Sequence, residues 1–163
     1  MAITDDHLQE LDERGFVLVP DFLKPDELSA AQEGLWRHYP KPKDYFANPG
    51  KYPSFEKPMG GIRNFPWLSL ALNRIVLHPA LIAVAERILG SADIQLCKAE
   101  LLAKYAGAAD YAQDFHRDYG NHTLAVPRKD GCWKELTTII YLSDITQATA
   151  ATTFIPRTHT DHI

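Results

Sequence analysis

Residues 111–123 read Tyr-Ala-Gln-Asp-Phe-His-Arg-Asp-Tyr-Gly-Asn-His-Thr, and within them His116, Arg117 and Asp118 form an H-x-D triplet. Gly120-Asn121 is a turn pair, so Phe115 to Tyr119 is predicted as a strand. Side chains alternate along an extended backbone, which puts His116 and Asp118 on the same side. An imidazole and a carboxylate then enter one space. They make two of the three ligands of the two-His-one-carboxylate face used by non-haem Fe(II) sites, which keeps cis positions open for other ligands. Many surface strands carry such a triplet by chance, so it gains meaning only from what surrounds it.

Upstream of the triplet, Ile94 to Tyr105 reads as a long extended segment. Lys98, Glu100, Leu102 and Lys104 fall on one face, and Cys97, Ala99, Leu101 and Ala103 on the other. A charged row on a strand is usually a solvated face. That reading is taken for Lys104; Lys98 stays open, as a solvated residue or as one reaching an acidic group inside a barrel. Downstream, Glu135 to Leu142 is a β run through Thr137, Thr138, Ile139, Ile140 and Tyr141, and Thr152 to Ile155 is a short last strand.

The N-terminal half is helical. Thr4 caps a helix over 5–14, with Asp5 and Asp6 at its positive end and Gly15 as its stop. Phe16 to Val19 follows as a strand ended by Pro20. Pro25 opens a second helix that runs to about His38, with Leu28, Ala31 and Leu35 at helical spacing. Residues 67–89 form two further helices, with an apolar stripe of Leu68, Ala71, Leu72, Ile75 and Val76, a break at His78-Pro79, and a stop at Gly90. His78 reads as part of that junction rather than of a metal site. Between these helices, Pro40 to Pro66 holds repeated prolines with Tyr45, Phe46, Tyr52, Phe55 and Phe65 interleaved. Prolines block helix interiors and central strands. The stretch is either a lid over a pocket or a loop whose aromatics cover the core.

Helices first and strands afterwards predict an α+β fold, with helices packed on one side of a mainly antiparallel sheet or barrel. The 163 residues suffice for a single domain over 1–163 with a real core. A net charge of -4 advertises no basic surface, so neither nucleic acid nor membrane is expected as a partner. Cys97 and Cys132 fit no C-x-x-C spacing, and a reduced, cytoplasmic setting is expected. The N-terminus lacks a basic n-region and an apolar h-region, so no signal peptide is expected. No apolar run approaches the roughly 20 residues that span a bilayer.

Three stretches, in order along nearly the whole chain, resemble the phytanoyl-CoA dioxygenase family. Gly15-Phe16-Val17-Leu18-Val19-Pro20-Asp21-Phe22-Leu23 is similar to its N-terminal signature. Phe115-His116-Arg117-Asp118 resembles its metal motif. Tyr141-Leu142-Ser143-Asp144-Ile145-Thr146, with Thr152-Thr153-Phe154-Ile155-Pro156-Arg157-Thr158-His159, resembles the segment ending in the family's P-G-S-H turn. The resemblance implies a double-stranded β-helix (jelly-roll, cupin-like) core carrying the N-terminal helices. It also implies Fe(II), 2-oxoglutarate as cosubstrate and O2, the keto acid being decarboxylated to succinate as a small organic substrate is hydroxylated. It carries His116 and Asp118 over as iron ligands. It puts the strand before the motif, with Lys98, and Trp133 at the cosubstrate pocket. An acid at Asp118 speaks against the halogenating relatives, where a small residue makes room for halide.

The chain also departs from the family pattern. Thr149-Ala150 and Arg157 stand where the family has Asn-Gly and a glycine, so the local turns should differ. The family's second iron His and its keto-acid Arg lie beyond the P-G-S-H turn, and residue 163 follows soon after His159. About four strands can be counted after residue 90, where a jelly roll needs eight, so the barrel is expected to be incomplete at its C-terminal end. A third ligand is therefore not identified. His159, His162 or His122 could be recruited, and the plainer reading of each is a loop histidine. Open sheet edges predict self-association into a homo-oligomer.

Three functions compete on this sequence. One is an Fe(II)/2-oxoglutarate dioxygenase. The alternative is a catalytically incomplete barrel fragment acting as a ligand-binding or assembly module. The last is a zinc hydrolase, for which no general base stands beside the metal.

Overall fold

The computed structural model describes residues 3–57, 59–108, 114–116, 135–146, 149 and 151–159. Among them are α1 (Asp5–Arg14), α2 (Pro25–Leu35), α3 (Pro42–Ala47), β1 (Arg63–Asn64), α4 (Leu70–Val76), α5 (Pro79–Leu89) and β2 (Glu100–Leu101). Short 3-10 turns lie at Pro49–Lys51, Pro53–Glu56 and Arg157–His159. The chain forms two compact units. One is Met1–His38, Pro66–Val84 and Ile140–Ile163; the other is Tyr39–Phe65 and Ala85–Ile139.

In the first unit local chemistry sets the helix ends. Thr4 Oγ1 accepts from the His7 amide, and the His7 ring accepts from the Thr4 amide, so His7 does the work of the usual Glu or Gln in a capping box. Gly15, at φ 82°, ends α1 and donates its amide to the Leu11 carbonyl. Pro25 opens α2, and the Glu27 carboxylate accepts from the Lys24 amide at 2.9 Å. The helix stops at Leu35 rather than His38, because the Arg37 and His38 amides turn back to the Gly34 and Leu35 carbonyls in a tighter winding.

Helices α2 and α4 pack closely through Ala31, Gly34, Ser69, Leu72 and Ile75, all buried. The sequence expectation of helix from residue 67 is corrected here: α4 starts at Leu70. Ser69 Oγ caps it by accepting from the Leu72 amide, and the Asn73 side chain bonds the Trp67 backbone in both directions, which holds residues 67–69 out of the helix. Leu68, read as part of the apolar stripe, is consequently 81% exposed. The break at His78-Pro79 stands as expected. His78 Nδ1 accepts from the Ala80 amide, Phe22 meets its ring edge-on, and Glu27 lies 3.7 Å from Nε2.

In the second unit the proline-rich stretch is ordered by its prolines. Pro42, Pro49 and Pro53 each sit in the first turn of a short helix, where the missing N–H costs nothing. The sequence reading treated these prolines only as breakers. Between them the aromatics form a core of their own: Tyr45 stacks on Tyr105 at 4.0 Å, and Phe55 meets both rings edge-on. Gly61, at φ 80°, lies so close to Phe55 that a Cβ there would fall 2.4 Å from its ring. The covering role of these aromatics is thus the one observed within this unit.

Strand pairing is the larger difference. Only β1 and β2 form a ladder among the described residues, antiparallel, with Arg63 opposite Leu101 and Asn64 opposite Glu100. Residues 16–19, 135–142 and 152–155, each read as a strand, carry no ladder bonds. Side chains nevertheless bring three of these segments together in the first unit. Phe16 stacks on Phe154 at 5.1 Å, Tyr141 Oη donates to Thr152 Oγ1, and Gln32 Nε2 donates to the Leu142 carbonyl. Alternation along the sequence marks which residues share a face, but a ladder also requires a partner in register, and that partner is remote in sequence.

Candidate functional site

The second unit holds the H-x-D histidine and a cleft beside its small sheet. The Phe65 amide extends the ladder by donating to the Ala99 carbonyl at 3.0 Å. Pro66 has no N–H to offer, so the pairing stops there. Where the two segments part, a cleft of about 480 Å³ opens, lined by Asn64, Phe65, Leu96, Cys97, Lys98, Ala99 and Glu100. Lys98 stands on its wall with Nζ 3.4 Å from the Glu100 carboxylate. The predicted alternation holds from Lys98 to Lys104, where Leu101 is buried and Lys98, Glu100, Leu102 and Lys104 are exposed, but not at Cys97, which is exposed although it falls on the Leu101 face.

Two phenols hold this sheet against the aromatic core. Tyr39 Oη donates to the Leu101 carbonyl at 2.8 Å, and Tyr105 Oη donates to the Pro40 carbonyl. Burial pushes the Tyr39 phenol up to about 12; the Arg63 guanidinium pulls it partly back and Tyr105 adds to the rise. Tyr105 is likewise pushed up to about 12, by burial first and then by Tyr45 and Tyr52. Both remain protonated donors across the neutral range.

His116 lies on an exposed segment, with Nδ1 2.8 Å from the Asp114 carbonyl. A carbonyl only accepts, so Nδ1 carries the proton, and the neutral tautomer that this favours places the ring's lone pair on Nε2. Fixing the tautomer through a backbone carbonyl is how metal-binding histidines are commonly oriented. The donor chemistry of His116 therefore fits a first iron ligand. Asp118, Trp133, His122 and His162 lie outside the described residues. His159 belongs to the other unit, exposed on the Arg157–His159 turn with Nδ1 3.3 Å from Thr158 Oγ1. Among the described residues no three His, Cys, Asp or Glu side chains gather to hold a metal ion, and no helix is long and apolar enough to cross a membrane.

Sequence reasoning did not anticipate Asn64, Phe65 and Cys97 as cleft residues, or the Tyr39 and Tyr105 clamps. Nothing local marks them, because each acts across a gap between segments far apart in the chain.

The H-x-D segment, the N-terminal signature and the C-terminal turn fall within one family match. The family model for phytanoyl-CoA dioxygenase (PhyH) covers residues 11–163. The chain belongs to this family, which is a family of dioxygenases. No curated protein and no solved structure matches the chain.

Proposed function

We propose that the protein is an Fe(II)- and 2-oxoglutarate-dependent dioxygenase that hydroxylates a small organic substrate in the cytoplasm, on the jelly-roll core its family implies. The family match across residues 11–163 carries the reading, and the His116 tautomer supports it. In this proposal His116 and Asp118 hold the iron, one as a neutral donor and the other as an anion. When bound, ferrous iron supplies the redox centre at which O2 oxidises substrate and 2-oxoglutarate together, the keto acid leaving as succinate and CO2. Lys98 and Trp133 are the residues proposed to face the keto acid. Lys98 is suited to a carboxylate because its ammonium exchanges one carboxylate partner, Glu100, for another. Neither a nucleic acid nor a membrane has a part in this scheme, and association into a homo-oligomer would cover the open sheet edges.

The test is succinate formed from 2-oxoglutarate with Fe(II), ascorbate and candidate substrates. Turnover lost in His116→Ala supports the proposal; turnover unchanged in that variant refutes it. A second reading is a ligand-binding or assembly module without catalysis. Anomalous scattering at the iron edge separates the two, because only the enzyme reading requires a peak beside His116.

A further inference from the structure

The C-terminal end of α1 and the residues just after it meet the segment from Phe154 to His159 through two separate contacts. The last carbonyls of a helix have no donor within it and carry the negative end of its dipole. Gly15 satisfies the Leu11 carbonyl. The Asp12 carbonyl is met by Arg157, 145 positions away, whose Nη1 donates to it at 2.7 Å. Two residues beyond the helix, the Phe16 ring lies on Phe154 with their planes 18° apart, and the Arg14 guanidinium sits 4.5 Å from the Phe16 ring centre. A hydrogen bond and an aromatic stack thus bracket the same joint.

The Asp12 carboxylate adds little. It lies 4.0 Å from the guanidinium and its side chain is 92% exposed, a geometry in which an ion pair contributes almost nothing. The contact that matters is to the helix end itself. Gly15 lies beside it: a Cβ there would stand in ordinary contact with Arg157 Cβ, at 3.5 Å.

We propose that Arg157 is a latch, its guanidinium closing the C-terminal end of α1 and coupling that helix to the Pro156–His159 turn, so that the two open together. A glycine at 157 would offer no such donor, and the turn would then be set by its own backbone alone. With arginine, the helix governs the placement of the turn and of His159 on it.

Amide hydrogen exchange in the intact protein tests the coupling, read at two amides. The Gly15 amide bonds the Leu11 carbonyl, and the His159 amide bonds the Pro156 carbonyl. In Arg157→Ala both should exchange about tenfold faster, while Asp12→Asn, which keeps the carbonyl acceptor, should change neither by more than about twofold. Phe154→Leu loosens the other half of the joint and should also speed both amides, which keeps the test open if Arg157→Ala fails to fold. Faster exchange at His159 with Gly15 unchanged would overturn the latch. An Asp12→Asn effect as large as that of Arg157→Ala would reduce it to a surface ion pair. Neither readout depends on iron or keto acid.

Discussion

Replacing Gly34 by alanine should destabilise the first unit, although alanine is the better helix former. A Cβ on Gly34 would fall 2.2 Å from Ser69 Oγ, 2.9 Å from Ser69 Cβ and 3.2 Å from Leu72 Cγ. Removing a helical glycine is worth about 1 kcal/mol in favour of the variant. Against it, overpacking a tight contact costs about 1–3 kcal/mol. Pushing Ser69 aside also costs about 1 kcal/mol, because its hydroxyl caps α4. The net loss is then about 1–3 kcal/mol, a fall in Tm of several degrees by circular dichroism. Ser69→Gly removes both of the closest atoms. In that background the helix-propensity gain remains, so Gly34→Ala should be neutral to stabilising by up to about 1 kcal/mol, giving a coupling of at least about 1 kcal/mol in the double-mutant cycle. Additive losses from the two substitutions would refute the close-approach argument, since the cost would then not arise from Ser69.

Because burial raises the Tyr39 and Tyr105 phenols to about 12 from 10.0, their contribution to stability is complete below pH 10 and lost as pH rises through 12. Absorbance titration should show these two tyrosines ionising last, and Tyr39→Phe should flatten the alkaline fall in stability; a wild-type slope in Tyr39→Phe would count against the assignment. His78→Ala should cost about 1 kcal/mol through loss of the cap on the Ala80 amide, and His78→Asn should recover most of it in urea titrations; equal losses would mean the ring acts by packing alone. Lys98→Ala should raise the KM for 2-oxoglutarate while leaving iron binding in place, and an unchanged KM would remove Lys98 from the cosubstrate pocket.

Four of the five α-helices among the described residues are legible in the sequence, because their signals are local, whereas α3 is hidden by prolines that read only as breakers. Thr4, Gly15, Pro25, the His78-Pro79 break and Gly90 act on neighbours within a turn, and each lies at an observed helix boundary or junction. The errors were also local in kind. Leu68 was misplaced because Ser69 and Asn73 make side-chain bonds to the backbone that periodicity does not register. The H-x-D pair was legible as residue types and family motif, and the alternation around Leu101 identified which side chain would be buried. The His116 tautomer was not legible, since it depends on where the Asp114 carbonyl points.

Sequence alone determined α1, the start of α2, the His78-Pro79 break, the family and the candidate iron ligands, because these depend on residues close together or on a fixed motif. Only the tertiary structure decided that Arg63–Phe65 would pair with Ala99–Leu101, that Tyr39, Tyr45, Phe55 and Tyr105 would share one core, and that Arg157 would close the end of α1. Contacts between remote segments are selected by packing and loop closure over the whole chain, and the residues on either side carry no mark of their eventual partner.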